Sequence, residues 1–336
     1  MGKYVCIHGH FYQPPRENPW LETVEMEVGA APYHDWNQRI TAECYAPNAA
    51  SRIMDSQNTI LAIVNNYSLI SFNFGPTLLS WMERESPEVY RSILEADAKS
   101  ILTFSGHGSA LAQPYNHIIM PLANQRDKRT QIAWGIQDFS SRFKRKPRGM
   151  WLPETAVDTE TLEAMVSEGI EFTILAPHQA SAFRPLGGNG WIDVNGDSID
   201  TRVPYLYRLP SGRSLSIFFY NNQIANGVAF SKMLSSGEEM ANTIIGAFSE
   251  GAHGDQLVHF ATDGETYGHH HKFGEMALSY CIHNIKENGR AIITNYGEHL
   301  ERSPPTHEVQ IRENTSWSCS HGIERWRADC GCSIGV

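Results

Sequence analysis

Short apolar, strand-like runs alternate with helix-like segments along most of this 336-residue chain, and that alternation constrains its fold more than any other feature. Strand character reads at residues 4–11, 69–74, 101–105, 149–153, 171–176, 215–220, 257–263 and 291–295. Between them fall helical patterns at about 46–65, 76–99 (split near Pro87), 122–143, 158–168, 237–250 and 273–288. Such an order specifies a mainly parallel sheet with helices outside it. Seven or eight strand–helix units favour a closed or nearly closed barrel over the alternative, an open doubly wound sheet. Residues 178–214, rich in Gly, Pro and Asp, form an insertion, with a hairpin turn expected at Pro210-Ser211-Gly212-Arg213. The expected organisation is a barrel over residues 1–303, followed by a polar, Trp- and Cys-rich segment, 304–336, crossing its face.

Two of the strand-like runs end abruptly in carboxylates. One is Trp151-Leu152-Pro153-Glu154, the other Ala261-Thr262-Asp263-Gly264-Glu265. In a parallel barrel the C-terminal strand ends carry the chemistry. Carboxylates delivered from two such ends form the minimal machinery for cleaving a glycosidic bond. Pro153 has no amide hydrogen, so regular pairing should stop just before Glu154. Asp263 and Glu265 stand two apart and should share a face if the strand continues. An ionised Glu265 would then keep Asp263 protonated, as a general acid requires.

The polar inventory around these ends is rich in histidine. His8 and His10 share a face of the first strand, with Gln13 just beyond it; His107, His117 and His269 are further candidates. Together they suggest a polar, sugar-binding pocket, with Trp20, Trp151, Tyr267 and Trp317 as possible stacking faces. The same residues admit a second reading, a metal-dependent deacetylase with His8, His10, Asp263 and His269 around an ion. A third is a carbohydrate-binding barrel without turnover. No two histidines are four apart, and there is no Gly-x-Ser-x-Gly or phosphate-loop run. No cofactor and no catalytic metal is expected.

The formal charge of −10 argues against a nucleic-acid partner. The one dense basic run, 142–148, reads as a solvated helix end. No apolar stretch is long enough to span a membrane. No leader is read at the N-terminus, and the stop at Gly335-Val336 suggests a piece of a longer protein. A cytoplasmic location follows, with Cys6, Cys44, Cys281, Cys319, Cys330 and Cys332 as free thiols. Cys319, His321, Cys330 and Cys332 are the right residue types for a zinc site. Their spacing is not a pair of Cys-x-x-Cys knuckles, and incidental thiols in a loop are expected.

At the residues above, the chain resembles glycoside hydrolase family 57. That family's opening His-x-His-Gln-Pro motif is similar to His8-Gly9-His10-Phe11-Tyr12-Gln13-Pro14, with two additional residues before Gln13. Tyr115 to Leu122, Trp151 to Glu154 and Asp263 to His269 are similar to three further family motifs. The resemblance implies a distorted, TIM-like (β/α)7 barrel acting on α-glucans with retention of configuration. It implies that Glu154 is the nucleophile and Asp263 the acid/base, and that an oligosaccharide or polysaccharide is the substrate. The family usually carries a helical bundle after the barrel. Here about 35 residues remain, and Asn314 to Gly322 resembles a divergent branch with a long C-terminal extension.

Overall fold

The computed structural model describes residues 2–251 and 254–332; the chain end at Gly335-Val336 lies outside the described residues. In chain order the strands are β1 (Lys3–Phe11), β2 (Ser51–Met54), β3 (Ile60–Val64), β4 (Ser71–Phe74), β5 (Phe172–Leu175), β6 (Ala180–Pro185), β7 (Ile192–Asp193), β8 (Tyr205–Arg208), β9 (Ser214–Phe219), β10 (Gln256–Asp263), β11 (Ile292–Ile293) and β12 (His307–Ile311).

The barrel is built around β1. It pairs in parallel with β10 over eight positions, from Lys3 opposite Gln256 to His10 opposite Asp263. On its other side β1 meets β11 at its start and β4 at its end. From β4 the ring continues through short extended stretches at 109–112 and 149–152, joined by parallel bridges at Phe72–Ala110, Ala112–Met150 and Gly149–Phe172. It passes through β5 and β9, which are parallel. It returns to β10, where the Asn221 N–H donates to the His259 carbonyl at 2.8 Å. These seven positions make the (β/α)7 arrangement. The strands are buried on both faces, which is why they read as near-continuous apolar runs instead of alternating ones.

A second group of strands hangs on the barrel. β8 runs antiparallel to β9 through the turn at 209–213, as the sequence indicates. β12 lies between β8 and β6, and β7 closes the edge. The C-terminal segment therefore first enters this side sheet and only then turns toward the barrel mouth. Glu308 of β12 ties the layers together, accepting from Arg184 on β6 and Arg208 on β8.

Two sequence expectations change. The run 101–105 is not a strand: the helix Pro87–Thr103 carries through it. Ile93, Ala96, Asp97 and Ser100 point inward at helical spacing, and that periodicity outweighs the apolar Ile101-Leu102 pair. The third strand position is the next segment, 109–112. The helical pattern at 46–65 ends at Ala49, and β2 and β3 form a hairpin. Asp55 makes its turn by accepting from the amides of Gln57 and Thr59.

The basic run 142–148 is also more than a solvated helix end. Arg142 meets Asp138 and Glu83. Arg145 makes a two-pronged bond to Asp97, both contacts at 2.8 Å. Asp97 is 1% exposed and also accepts from the Ala110 amide, so this pair fastens the 109–112 stretch to its preceding helix. Removing one partner of a buried pair strands the other charge, at a cost of about 3–5 kcal/mol. Arg145→Ala should lower the urea unfolding free energy by about 3 kcal/mol, at the low end because Arg145 keeps some contact with water.

Candidate active site

Glu154 leaves the barrel on a strained turn. After Leu152 the chain forms one 3-10 turn, Pro153–Thr155, and regular pairing stops there. Glu154 and Thr155 both have positive φ, 56° and 48°. For a β-branched residue such as Thr155 this is a costly conformation, and it persists only where surroundings impose it. Here Gln179 grips the turn, accepting from the Thr155 hydroxyl at 2.9 Å and donating to the Thr155 carbonyl at 2.8 Å. Trp317, arriving from the C-terminal segment, holds Glu154 at two points. Its amide donates to the Glu154 carbonyl at 3.0 Å, and its indole N–H donates to Glu154 Oε2 at 3.1 Å.

Asp263 is the last residue of β10, in register with His10. Glu154 and Asp263 line one cavity of about 200 Å³, together with Tyr220, Asn222, Asn226, Phe230 and Trp317. The Asp263 carboxyl reaches solvent through this cavity, but the enclosing walls strip much of its water. That desolvation, with the neighbouring Glu154 charge, raises its pKa to about 6.

Glu265 does not share that cavity. The chain turns after Asp263 into the 3-10 segment Gly264–Thr266, so the shared-face geometry expected for a continuing strand is lost. Glu265 is buried, with Oε1 accepting from the Tyr12 amide at 3.0 Å and the Tyr45 hydroxyl at 2.5 Å. Burial pushes its pKa up to about 8 despite these donors. Asp263 therefore ionises before Glu265, against a neutral neighbour. Glu154, not Glu265, is the charge that keeps Asp263 protonated.

Trp151, three residues before Glu154, and His10, opposite Asp263 in register, belong to a stack of flat rings. Tyr12 stacks on His117 at 3.7 Å between centroids, His117 on His10 at 5.0 Å, His10 on Trp151 at 5.2 Å and Trp151 on His8 at 4.8 Å. Asn73 fixes the protons in this stack. Its carbonyl oxygen meets His8 Nε2 at 3.1 Å, while its amide donates to His10 Nδ1 at 2.9 Å and to Gln113. His10 then carries its proton on Nε2 and donates to His117 Nε2 at 2.9 Å. Burial lowers the pKa of His8 to about 3 and of His117 to about 4, and that of His10 well below its ordinary value. The rings are neutral, and the stack presents hydrogen-bonding edges without net charge. Trp317 packs edge-on against Trp151 at 5.0 Å, joining the C-terminal segment to the stack.

The other candidates lie elsewhere. His107 precedes its strand segment and sits at the opposite, N-terminal end of the barrel. There it meets Glu301 and Arg148. The misplaced strand at 101–105 explains that error. His269 bonds to Glu43 at 2.5 Å and lines a separate groove with Arg39 and Lys272. Gln13 accepts from Arg16. Tyr267 is fully buried with its hydroxyl on Thr262, and Trp20 is 90% exposed. The donor atoms of His8, His10, Asp263 and His269 do not gather into a metal-binding group among the described residues, which removes the support for that alternative. Sequence reading missed Tyr45, Asn73, Gln179 and Tyr220. The polar Asn73 inside the apolar run LISFNF and Tyr220 at the end of LSIFFY were the available signals.

Known proteins share this fold. The chain matches the model of glycosyl hydrolase family 57 over residues 7–312. A stretch of 106 residues is 24% identical to alpha-amylase 1 of Dictyoglomus thermophilum, covering 32% of this chain and 15% of that protein. The 4-alpha-glucanotransferase of Thermococcus litoralis superposes with a TM-score of 0.67 at 16% identity, over 94% of this chain and 43% of that one. The family 57-type branching enzyme of Pyrococcus horikoshii gives 0.66 at 16% identity, over 96% and 74%. This chain thus spans less than half the length of the amylase and the glucanotransferase. With the match running nearly end to end, the chain belongs to glycosyl hydrolase family 57.

Proposed function

We propose that the chain is a retaining, α-glucan-active glycoside hydrolase or transglycosidase in which Glu154 is the nucleophile and Asp263 the acid/base. The observation that carries this reading is the unequal environment of two carboxylates on one cavity. Asp263 keeps its proton up to a pH of about 6, while the carboxylate of Glu154 accepts an indole N–H. Two carboxyl groups in unequal surroundings have their roles assigned by environment.

In the first step protonated Asp263 gives its proton to the glycosidic oxygen while Glu154 attacks the anomeric carbon. The C–O bond to the leaving sugar breaks and a glycosyl ester forms on Glu154. Asp263, now ionised, takes a proton from water or from a sugar hydroxyl, whose oxygen displaces Glu154. Tyr220 and Trp317 offer apolar faces to the sugar ring, and Asn222 and Asn226 on the same cavity offer hydrogen bonds to its hydroxyls. Similarity to an amylase, a glucanotransferase and a branching enzyme supports an α-glucan as substrate class. No helix among the described residues is long and apolar enough to cross a membrane, and the thiols of Cys6, Cys44 and Cys281 are buried and unpaired. Both suit the reducing cytoplasm, where we place the protein.

The reading is tested by the product profile on maltooligosaccharides and glycogen. New reducing ends or transfer products should form with retained configuration. Asp263→Asn should lower kcat by about 10²–10⁴-fold and Glu154→Gln by at least as much. Oligosaccharide binding without either product, in a folded protein, would make the chain a binding barrel.

The electrostatics predict a pH dependence of defined sign. The acid must be protonated, so kcat/KM should fall as pH rises through about 6. Followed by NMR, the Asp263 titration should shift to lower pH in Glu154→Gln, which removes the neighbouring charge. It should stay in place in Glu265→Gln, because Glu265 is neutral where Asp263 titrates. A shift in the second variant and none in the first would reverse the assignment.

A further inference from the structure

The C-terminal segment brings four metal-ligating side chains to one point. Cys319, His321, Cys330 and Cys332 place one donor atom each within 4.8 Å of all the others. Cys319 Sγ lies 3.8 Å from Cys330 Sγ and 3.7 Å from Cys332 Sγ. His321 Nδ1 lies 3.8 Å from Cys319 Sγ and 3.3 Å from Cys332 Sγ. A tetrahedral zinc ion, with Zn–S near 2.3 Å and Zn–N near 2.0–2.1 Å, sets its ligands at about 3.8 Å (S to S) and about 3.5 Å (S to N). The observed separations match that figure. They do not match a disulfide, whose sulfurs stand about 2.05 Å apart.

The local backbone fits the same ligand. The His321 amide donates to Cys319 Sγ at 3.3 Å, the kind of bond that supports a metal-bound thiolate. Gly322 turns the chain with φ of 60°, and a Cβ there would lie 2.1 Å from the Asn314 carbonyl oxygen. That glycine allows the Cys-x-His half to fold back on residues 314–315. The short helix Glu324–Arg327 then carries the chain round to the Cys-x-Cys half.

We propose that these four residues form a closed, structural zinc site that anchors the segment carrying Trp317 over Glu154. Three thiolates and an imidazole are a soft donor set suited to zinc, and four protein ligands leave no open position for substrate. The site is therefore distinct from the carboxylate cavity, and its existence does not depend on which glycan is processed. It lies two residues beyond Trp317, whose amide and indole both hold Glu154. Residues 314–317 also run beside the nucleophile's turn. Asn314 donates to the Val157 carbonyl at 2.9 Å, and Val157 donates to the Thr315 carbonyl at 3.1 Å. Fixing Cys319 fixes that strap, and the strap fixes the Glu154 carboxylate.

The test is metal analysis of the full chain purified under reducing conditions without chelator. About one zinc per chain is expected, retained through gel filtration. Cobalt(II) exchanged into the protein should give thiolate charge-transfer bands and the intense d–d absorption of a tetrahedral site. The double variant Cys330→Ser/Cys332→Ser should lose the zinc, while Glu154→Gln should keep it and lose activity. In wild-type protein treated with a zinc chelator, hydrogen exchange at the Trp317 amide should quicken by on the order of tenfold or more, with β1 amides still protected. Absence of stoichiometric zinc, recovery of the cluster cysteines as a disulfide, or full zinc content in the double variant would overturn the site. Unchanged exchange at Trp317 after zinc loss would overturn its anchoring role.

Discussion

Two successive residues held in left-handed backbone geometry, Glu154 and Thr155, are the constraint around which the site is organised. Each costs on the order of 1–3 kcal/mol and would relax if left alone. The fold opposes that relaxation from two sides. Gln179, on the barrel's own next turn, saturates Thr155, and Trp317, from the far end of the chain, saturates Glu154. The turn aims Glu154 into the cavity that Asp263 also lines, where a continuing strand would have carried it past. Backbone strain, the cavity and the long-range strap are three views of one device for placing a carboxylate.

Around that device the protein separates the protonation of two carboxyl groups by their surroundings. Glu265, sealed beneath Tyr45 and the Tyr12 amide, keeps its proton highest in pH. Asp263, walled but open to the cavity, comes next. A neutral Glu265 costs little to bury and still accepts two hydrogen bonds, so it can tie the end of β1 to β10 without adding charge to the site. The neutral His8–His10–His117 array follows the same logic. Asn73 uses its amide to set the direction of each proton, and desolvation keeps the rings uncharged.

Much of this was legible in the sequence where local chemistry and fold agree. The strand ends at Glu154 and Asp263, the proline that stops pairing before the first, the helix cap at Asp158 and the hairpin turn at 209–213 depend on neighbouring residues alone. What sequence missed depends on partners far along the chain. The strand at 101–105 fails because helical periodicity continues from residue 93, and His107 was carried with it to the wrong end of the barrel. Glu265 departs from the face of Asp263 because β10 ends in a tight turn, which no period-two pattern signals. The links from Trp317 to Glu154 and from Gln179 to Thr155 leave no mark in either local sequence.

The strap also explains how a segment beyond the barrel strands can help complete the site. Beyond β12 the segment offers few apolar anchors, chiefly Trp317, Cys319 and Ile323. Ordering each residue costs roughly 1–2 kcal/mol of backbone entropy. Two backbone bonds to Val157 and the Trp317 contacts hold its start, but its far half turns through exposed residues and a one-turn helix with no buried side chain. Hydrophobic burial alone is a weak closure for such a stretch. A cross-link among residues 319, 321, 330 and 332 ties that far half to itself, beside the Ile323 amide that donates to the Asn314 carbonyl at 3.0 Å. Loop closure over so short a span costs little. The position of Trp317 then becomes a property of the fold, and with it the geometry of the nucleophile.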